Sequence, residues 1–188
     1  MPLLSYDAAL PDRPRRVLVA GGSGSGKTTL SDRIGSVLGV RHVEIDALHH
    51  GAGWVKRPTF EADVEAFTAE PSWVTEWQYS VVRPLLAERA DLVVWLDLPR
   101  PVVMQQVTRR TLRRWLRREE LWNGNREPAP WRIVSDPDHV IRWAWRTHHL
   151  VEQRVDALLA VDPERPVVRL RSHEESSRWL AGPLAAAG

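Results

Sequence analysis

The chain has 188 residues, 43% of them apolar and 27% charged, with no cysteine and a formal net charge of +2. That balance suits one globular domain and excludes long disorder, collagen-like repeats, a disulfide framework, a thiolate zinc site and a cysteine nucleophile. The sequence pI near 9.5 overstates the basicity, because all but two of the 26 basic residues are arginines that stay protonated.

Residues 1–14 read as an arm, interrupted by Pro2, Asp7, Pro11 and Asp12, and do not resemble a signal peptide. No apolar run approaches the roughly 18 residues that cross a bilayer, so a cytoplasmic protein without a membrane partner is expected. Val17–Ala20 is a buried-strand candidate that ends at a glycine cluster. Leu30, Ile34, Val37 and Leu38 then recur at helical spacing, with Gly39 as the stop. A second strand is expected over Val40–Ile45, closing on Asp46, and Gly51 and Gly53 mark a loop. Thr59 precedes a helix carrying Phe60, Val64 and Phe67 on one face. Trp73–Thr75 and Leu92–Leu96 are further strand candidates, and Pro101 opens a long helix. The stretch 120–137 is irregular, with Asn123-Gly124 and Pro128, Pro130 and Pro137. One long helix from Asp138 to Ala160, capped by Asp136, a strand over Val167–Leu170 and a helix over Glu174–Leu180 complete the pattern. Strands alternating with helices predict a single α/β domain around a buried parallel sheet.

Gly21-Gly22-Ser23-Gly24-Ser25-Gly26-Lys27-Thr28 satisfies G-x-x-x-x-G-K-[ST] between a strand and a helix. Glycines let consecutive backbone N–H groups turn inward around a β-phosphate at the positive end of a helix. Gly22, Ser23, Gly24, Ser25, Gly26, Lys27, Thr28 and Thr29 are therefore expected to bind nucleotide phosphates. Lys27 would reach the β- and γ-phosphates, and the Thr28 hydroxyl would take Mg²⁺. GTPases need N-K-x-D, but neither Lys27 nor Lys56 follows an Asn, and no LSGGQ-like stretch occurs.

Arg109, Arg110, Arg113, Arg114, Arg117 and Arg118 fill about half of a helix circumference. Like charges so placed repel unless an anion faces them, and Glu119 and Glu120 could relieve only one end. Arg110 and Arg114 are the expected phosphate clamp, and a solvated arginine face is the plain alternative. Arg142 and Arg146 could complete the phosphate shell or pair with Asp138 or Glu152. Asp46, at the end of a strand, is either the carboxylate that deprotonates an acceptor hydroxyl or a helix cap, with Glu76 able to approach beside it. Lys56 is a possible acceptor contact. Of the ten tryptophans, Trp95, Trp115, Trp143 and Trp145 are expected in the core and Trp54 and Trp77 beside the acceptor. The adjacent pairs His49-His50 and His148-His149 do not have metal-ligand spacing.

Residues 92–99, a strand closing on Asp97-Leu98-Pro99, resemble the adenylate-kinase-like P-loop kinases. VAGGSGSGKTTL, HVEIDALHH, a G-x-G-W loop, WLDLPR and the arginine-rich segment resemble more specifically the DNA topology modulation protein-related group, over about residues 17–180. The resemblance implies a three-layer P-loop NTPase fold with sheet order 2-3-1-4-5, ATP on the loop, an acceptor-side insert at 47–72 and a mobile Arg-rich lid at 109–137. It also implies that Asp97 holds Mg²⁺ through water. An Arg that supports adenine in such proteins is Gln106 here, which leaves the loop Arg171-Ser172-His173 as the other candidate. The expected activity is ATP-dependent phosphoryl transfer to a small molecule, a nucleoside or nucleotide among the options. An ATP-binding nucleic-acid-associated regulator and an acceptor-less ATPase are the alternatives.

Overall fold

A computed structural model describes residues 3–137 and 139–187. The β-branched run predicted at Val17–Ala20 becomes strand β1 (Arg16–Gly21) and lies inside the sheet. It pairs in parallel with β2 (Trp73–Glu76) on one side and β3 (Leu92–Leu96) on the other. β4 (Val167–Leu170) extends the sheet beyond β3, so the order is β2-β1-β3-β4, all parallel. Asp91 ties the starts of β1 and β3 together, accepting the Arg16 N–H at 2.9 Å and the Arg16 guanidinium at 2.7 Å.

Eight α-helices accompany the four strands among the described residues: α1 (Lys27–Leu38), α2 (Ile45–His49), α3 (Phe60–Thr68), α4 (Arg83–Arg89), α5 (Arg100–Leu116), α6 (Val140–Thr147), α7 (Leu150–Val161) and α8 (His173–Trp179). Side chains alternate across a strand, and both faces of this sheet are covered. Leu18, Trp73, Val93 and Val167 pack with Phe60, Val64 and Leu86 of α3 and α4 and Val155 of α7. Val17, Val19, Val94 and Leu170 pack with Leu30 and Ile34 of α1 and Trp179 of α8. This gives the expected three layers.

Several elements differ from expectation. The strand predicted over Val40–Ile45 is reduced to one parallel bridge, His42 to Val74. Val43 donates to the Val74 carbonyl and Val74 to the Arg41 carbonyl, but the next ladder position fails because the Ile45 N–H goes to the Glu76 carboxylate and α2 begins. The sheet therefore has four strands, and the order 2-3-1-4-5 loses its first member. The single long helix from Asp138 is two helices, α6 and α7, separated at His148-His149, where His148 Nε2 donates to the Leu98 carbonyl at 3.0 Å. His139, not Asp136, caps α6, and Asp138 itself lies outside the described residues. α5 stops at Leu116, so Arg117 and Arg118 leave the helix, the latter at φ 48°. Helix α4 was not foreseen, although Pro84 in its first turn is a start signal. The N-terminal arm is not free along its length: Leu4 bridges Val168 and extends the sheet edge. No helix among the described residues is long and apolar enough to cross a membrane.

Candidate active site

The glycine loop follows β1 and runs into α1, at the carboxyl ends of the strands where open α/β sheets bind ligands. Gly24 and Gly26 have φ of 85° and 96°, and a Cβ on Gly24 would lie 2.6 Å from the Cβ of Val107. Only glycine fits there. Ser25 is fully buried with its hydroxyl unpartnered. Thr28 and Thr29 are exposed on the first turn of α1. Lys27 is 8% exposed and folds back to donate to the Gly22 carbonyl at 3.1 Å. Burial pushes its ammonium below the usual value; Asp46 and Glu76 pull it up, while Arg110 and Arg154 add to the fall.

The six arginines divide sharply. Arg109, Arg113, Arg117 and Arg118 are exposed, whereas Arg110 and Arg114, one helical turn apart, are turned inward. Their Nε atoms are both buried without a partner. Glu127, not Glu119 or Glu120, meets Arg114, with Oε1 3.3 Å from the guanidinium. Burial and the adjacent Arg114 push the Arg110 guanidinium down, against the pull of Glu127 and Asp46. Arg154 on α7, which the sequence does not mark out, lies near enough to add to the fall at Lys27. Arg142 and Arg146 are exposed. Arg142 reaches the carbonyls of Ile133 and Val134, and Arg146 lies over the Trp143 ring.

Asp46 lies in the first turn of α2, not at a strand end. Its Oδ1 accepts from the Tyr79 hydroxyl at 2.6 Å and from Gln78 Nε2 at 3.2 Å, and Oδ2 accepts nothing among the described residues. Tyr79 was not singled out from sequence; its place shortly after a strand is the signal that was available. Glu76 is the last residue of β2 and is 1% exposed. It accepts from His42 at 3.1 Å and from the Ile45 N–H at 3.2 Å, and so starts α2 instead of approaching an acceptor. Burial alone would raise its carboxyl, but these hydrogen bonds and the His42 charge outweigh it and hold Glu76 below the usual range.

Segment 117–137 folds back over the loop between α2 and α3. Asn125 is 4% exposed, accepts from the Trp54 N–H at 2.9 Å and donates to the Gly51 carbonyl at 2.8 Å. Asn123 donates to the His50 carbonyl, and Trp122 stacks on the His50 ring with centroids 5.9 Å apart. Trp122 also hydrogen-bonds Glu44, whose carboxyl burial raises. Trp54 belongs to this contact, but Trp77 is a core residue whose indole donates to the Arg83 carbonyl. Trp95 is in the core as expected, whereas Trp143 and Trp145 are about half exposed and Trp115 packs edge-on against Trp131. Lys56 pairs with Glu61.

Asp97 follows β3, and its Oδ2 is held by Arg169 Nε at 2.8 Å and a second guanidinium nitrogen at 2.5 Å. Gln106 and His173 hydrogen-bond to each other, which joins the two positions considered for adenine, while the Arg171 side chain is exposed. A cavity of about 100 Å³ lies between Gly22, Asp97, His148 and Glu152. A larger one, about 290 Å³ at Arg15, Leu38 and Ser72, is at the opposite ends of the strands. No cluster of three or more His, Asp or Glu residues able to hold a metal occurs among the described residues.

A gluconokinase from Sinorhizobium meliloti 1021 is similar in structure, with a TM-score of 0.52 at 20% identity over 94% of this chain and 95% of that one. Shikimate kinase from Acinetobacter baumannii in complex with shikimate gives 0.47 at 17% identity over 94% and 90% of the two chains. Shikimate kinase from Bacteroides thetaiotaomicron gives 0.45 at 13% identity over 89% and 95%. No protein-family model and no curated protein sequence matches the chain. The structural likeness, with the glycine loop between β1 and α1, shows that the chain has the α/β fold of P-loop kinases.

Proposed function

We propose that the protein is an ATP- and Mg²⁺-dependent kinase that phosphorylates a hydroxyl group of a small, nucleoside- or sugar-like molecule in the cytoplasm. The observation that carries this reading is the buried Lys27 at the glycine loop together with the inward-turned Arg110 and Arg114, whose Nε atoms are both buried and unpartnered. Buried N–H donors left unsatisfied are costly, and a polyphosphate supplies the missing acceptors. Lys27 exchanges the Gly22 carbonyl for a phosphate oxygen. The Arg110 and Arg114 forks take the oxygens on which charge grows during transfer. Segment 117–137, rooted on these arginines, is the lid that excludes water, and residues 47–72 are the acceptor side.

The residues fit a magnesium ion that keeps most of its waters. Thr28 exposes its hydroxyl at the start of α1, and Asp97 has Oδ1 clear of the Arg169 contact. When bound, that ion would neutralise phosphate charge, and Thr28 and Asp97 would orient it. Arg171, with the Gln106–His173 pair, is the proposed adenine contact. On the acceptor side Asp46 Oδ2 is the free carboxylate oxygen, suited to take a hydroxyl proton. Resemblance to the topology-modulation group rests on the sequence motifs and does not name the acceptor.

Transfer of labelled γ-phosphate from ATP–Mg²⁺ to a panel of nucleosides, sugars and nucleoside monophosphates tests the proposal. Label on a hydroxyl compound is expected. Label released only to water makes the protein an ATPase and overturns the kinase reading.

A further inference from the structure

Four non-glycine residues among those described have left-handed backbones: Trp54, Tyr79, Asn123 and Arg118. Such conformations crowd the Cβ against the backbone and persist where surrounding contacts hold them. Three of the four meet around His50. Tyr79, at φ 57°, stacks its ring on His49 with centroids 3.9 Å apart and planes 11° apart, and packs edge-on against Phe60. Its hydroxyl donates to Asp46 Oδ1 and lies 3.0 Å from His50 Nε2, which donates to it. His50 is in turn gripped by segment 117–137, through Asn123 at its carbonyl and Trp122 on its ring. The Trp54 backbone N–H donates to the Asn125 side-chain Oδ1, and the Trp54 ring packs on both His50 and Trp122.

We propose that Tyr79, braced by His50, is the positioning residue for Asp46, and that it aligns the carboxylate only while the lid is docked on Gly51–Trp54. The proposal rests on the reading of Asp46 as the base. Two donors on Oδ1, Tyr79 and Gln78, fix the plane of the carboxylate and leave Oδ2 to the acceptor. The connection runs from Asn123 and Trp122 to His50, from His50 to Tyr79, and from Tyr79 to Asp46. The other side of the same segment carries Glu127 onto Arg114. Docking of one segment therefore sets the phosphate clamp and the base together, and an open lid leaves Asp46 without its brace. Water entering the open site then meets a misaligned carboxylate, which limits wasteful hydrolysis.

The test follows ADP release from ATP–Mg²⁺ by the full chain, with water and then glycerol, D-gluconate and shikimate as acceptors, beside the ATP-induced melting shift. Tyr79→Phe keeps the ring and removes the hydroxyl. It is expected to lower kcat roughly tenfold, the worth of one strong hydrogen bond to a charged group, with KM for ATP and the melting shift unchanged. Asn125→Ala undocks the lid and is expected to lower kcat by at least that factor, because the clamp is released with the brace. The double variant is expected to be no slower than Asn125→Ala alone, because undocking already removes the alignment that Tyr79 gives. Wild-type kcat in Tyr79→Phe, or losses that multiply in the double variant, overturn the proposal. Silence of the wild-type chain with all of these acceptors counts against the kinase reading and not against the brace. A melting cycle of Tyr79→Phe against Asp46→Ala, which removes the acceptor oxygen, then decides: coupled values uphold the bracing of Asp46, and additive values overturn it.

Discussion

Arg110 and Arg114 sit one helical turn apart on α5, yet Glu127 meets only Arg114, at 3.3 Å. Arg110 keeps a buried, unpartnered Nε. A charge in that state weakens the nucleotide-free protein. Arg110→Met should therefore raise the nucleotide-free melting temperature by about 2–4 °C, the equivalent of about 1 kcal/mol in a chain of this size. The same variant should lower kcat by roughly 10²-fold or more, as expected when a donor to transition-state charge is lost. Arg109→Met, on the exposed side of the helix, should change neither. Equal losses in both variants would show that the burial of Arg110 has no bearing on turnover.

Lys27 obeys the same logic more strongly. Burial lowers its value in the fold, so the unfolded chain binds more protons in the window just below the ordinary lysine value of 10.5. Stability of the nucleotide-free protein should rise with pH through that window. Lys27→Met should melt higher than wild type near neutral pH, show no ATP-induced shift, and turn over no substrate. A variant that melts lower, yet still responds to ATP–Mg²⁺, would contradict the placement of Lys27 as an unsatisfied phosphate ligand.

The glycine loop is readable because its rule is local: a tight turn into a helix needs glycine where φ is positive, as at Gly24 and Gly26. Which arginines turn inward is not local, because Arg109 and Arg113 share the i, i+4 spacing of Arg110 and Arg114 yet are exposed. What escaped the sequence depends on partners distant along the chain. Val40–Ile45 has strand chemistry, but Glu76, 31 residues beyond Ile45, takes the N–H that would continue the ladder. Tyr79 matters through Asp46, 33 residues away, and Asn125 through Trp54, 71 residues away. Hydrophobicity alone puts Trp143 and Trp145 in the core, yet both lie on the outer side of α6, whose buried residue is Ala144.

The histidines beside Asp46 make the fold acid-sensitive. Burial holds both His49 and His50 below their usual value, so between that lowered value and 6.5 the unfolded chain binds more protons. Their contribution is present above pH 6.5 and is lost as the pH falls. Glu76 acts in the same direction lower on the scale: its depressed carboxyl contributes above 4.5 and loses that contribution as the pH falls through the folded value. The contribution of these three groups to the melting temperature should be level above pH 6.5, apart from the rise that Lys27 brings at alkaline pH, and should decline steadily toward pH 4. His50→Gln, which has no proton to gain in this range, should make the upper part of that decline shallower. A melting temperature constant from pH 7.5 to 5 would contradict the neutral, buried state of the pair.

The acceptor is the most discriminating question, and Asp46 supplies the means. A hydroxyl must lose its proton as it attacks, and in the proposed reaction the Oδ2 of Asp46, left open by the contact at Oδ1, takes it. A phosphate acceptor is already anionic, and Asp46 together with buried Glu76 and the nearby Glu44 would repel it. The inward arginines do not offset this, because their assignment is to the transferred phosphoryl group. Asp46→Asn keeps the shape and still offers Tyr79 an oxygen to donate to, so the brace survives while the base is removed. Its kcat for a nucleoside or sugar acceptor should fall roughly 10²-fold or more, with the ATP-induced melting shift little changed. Efficient phosphorylation of a nucleoside monophosphate, with Asp46→Asn nearly silent, would instead place the acceptor's own charge on the arginines and remove Asp46 from the reaction.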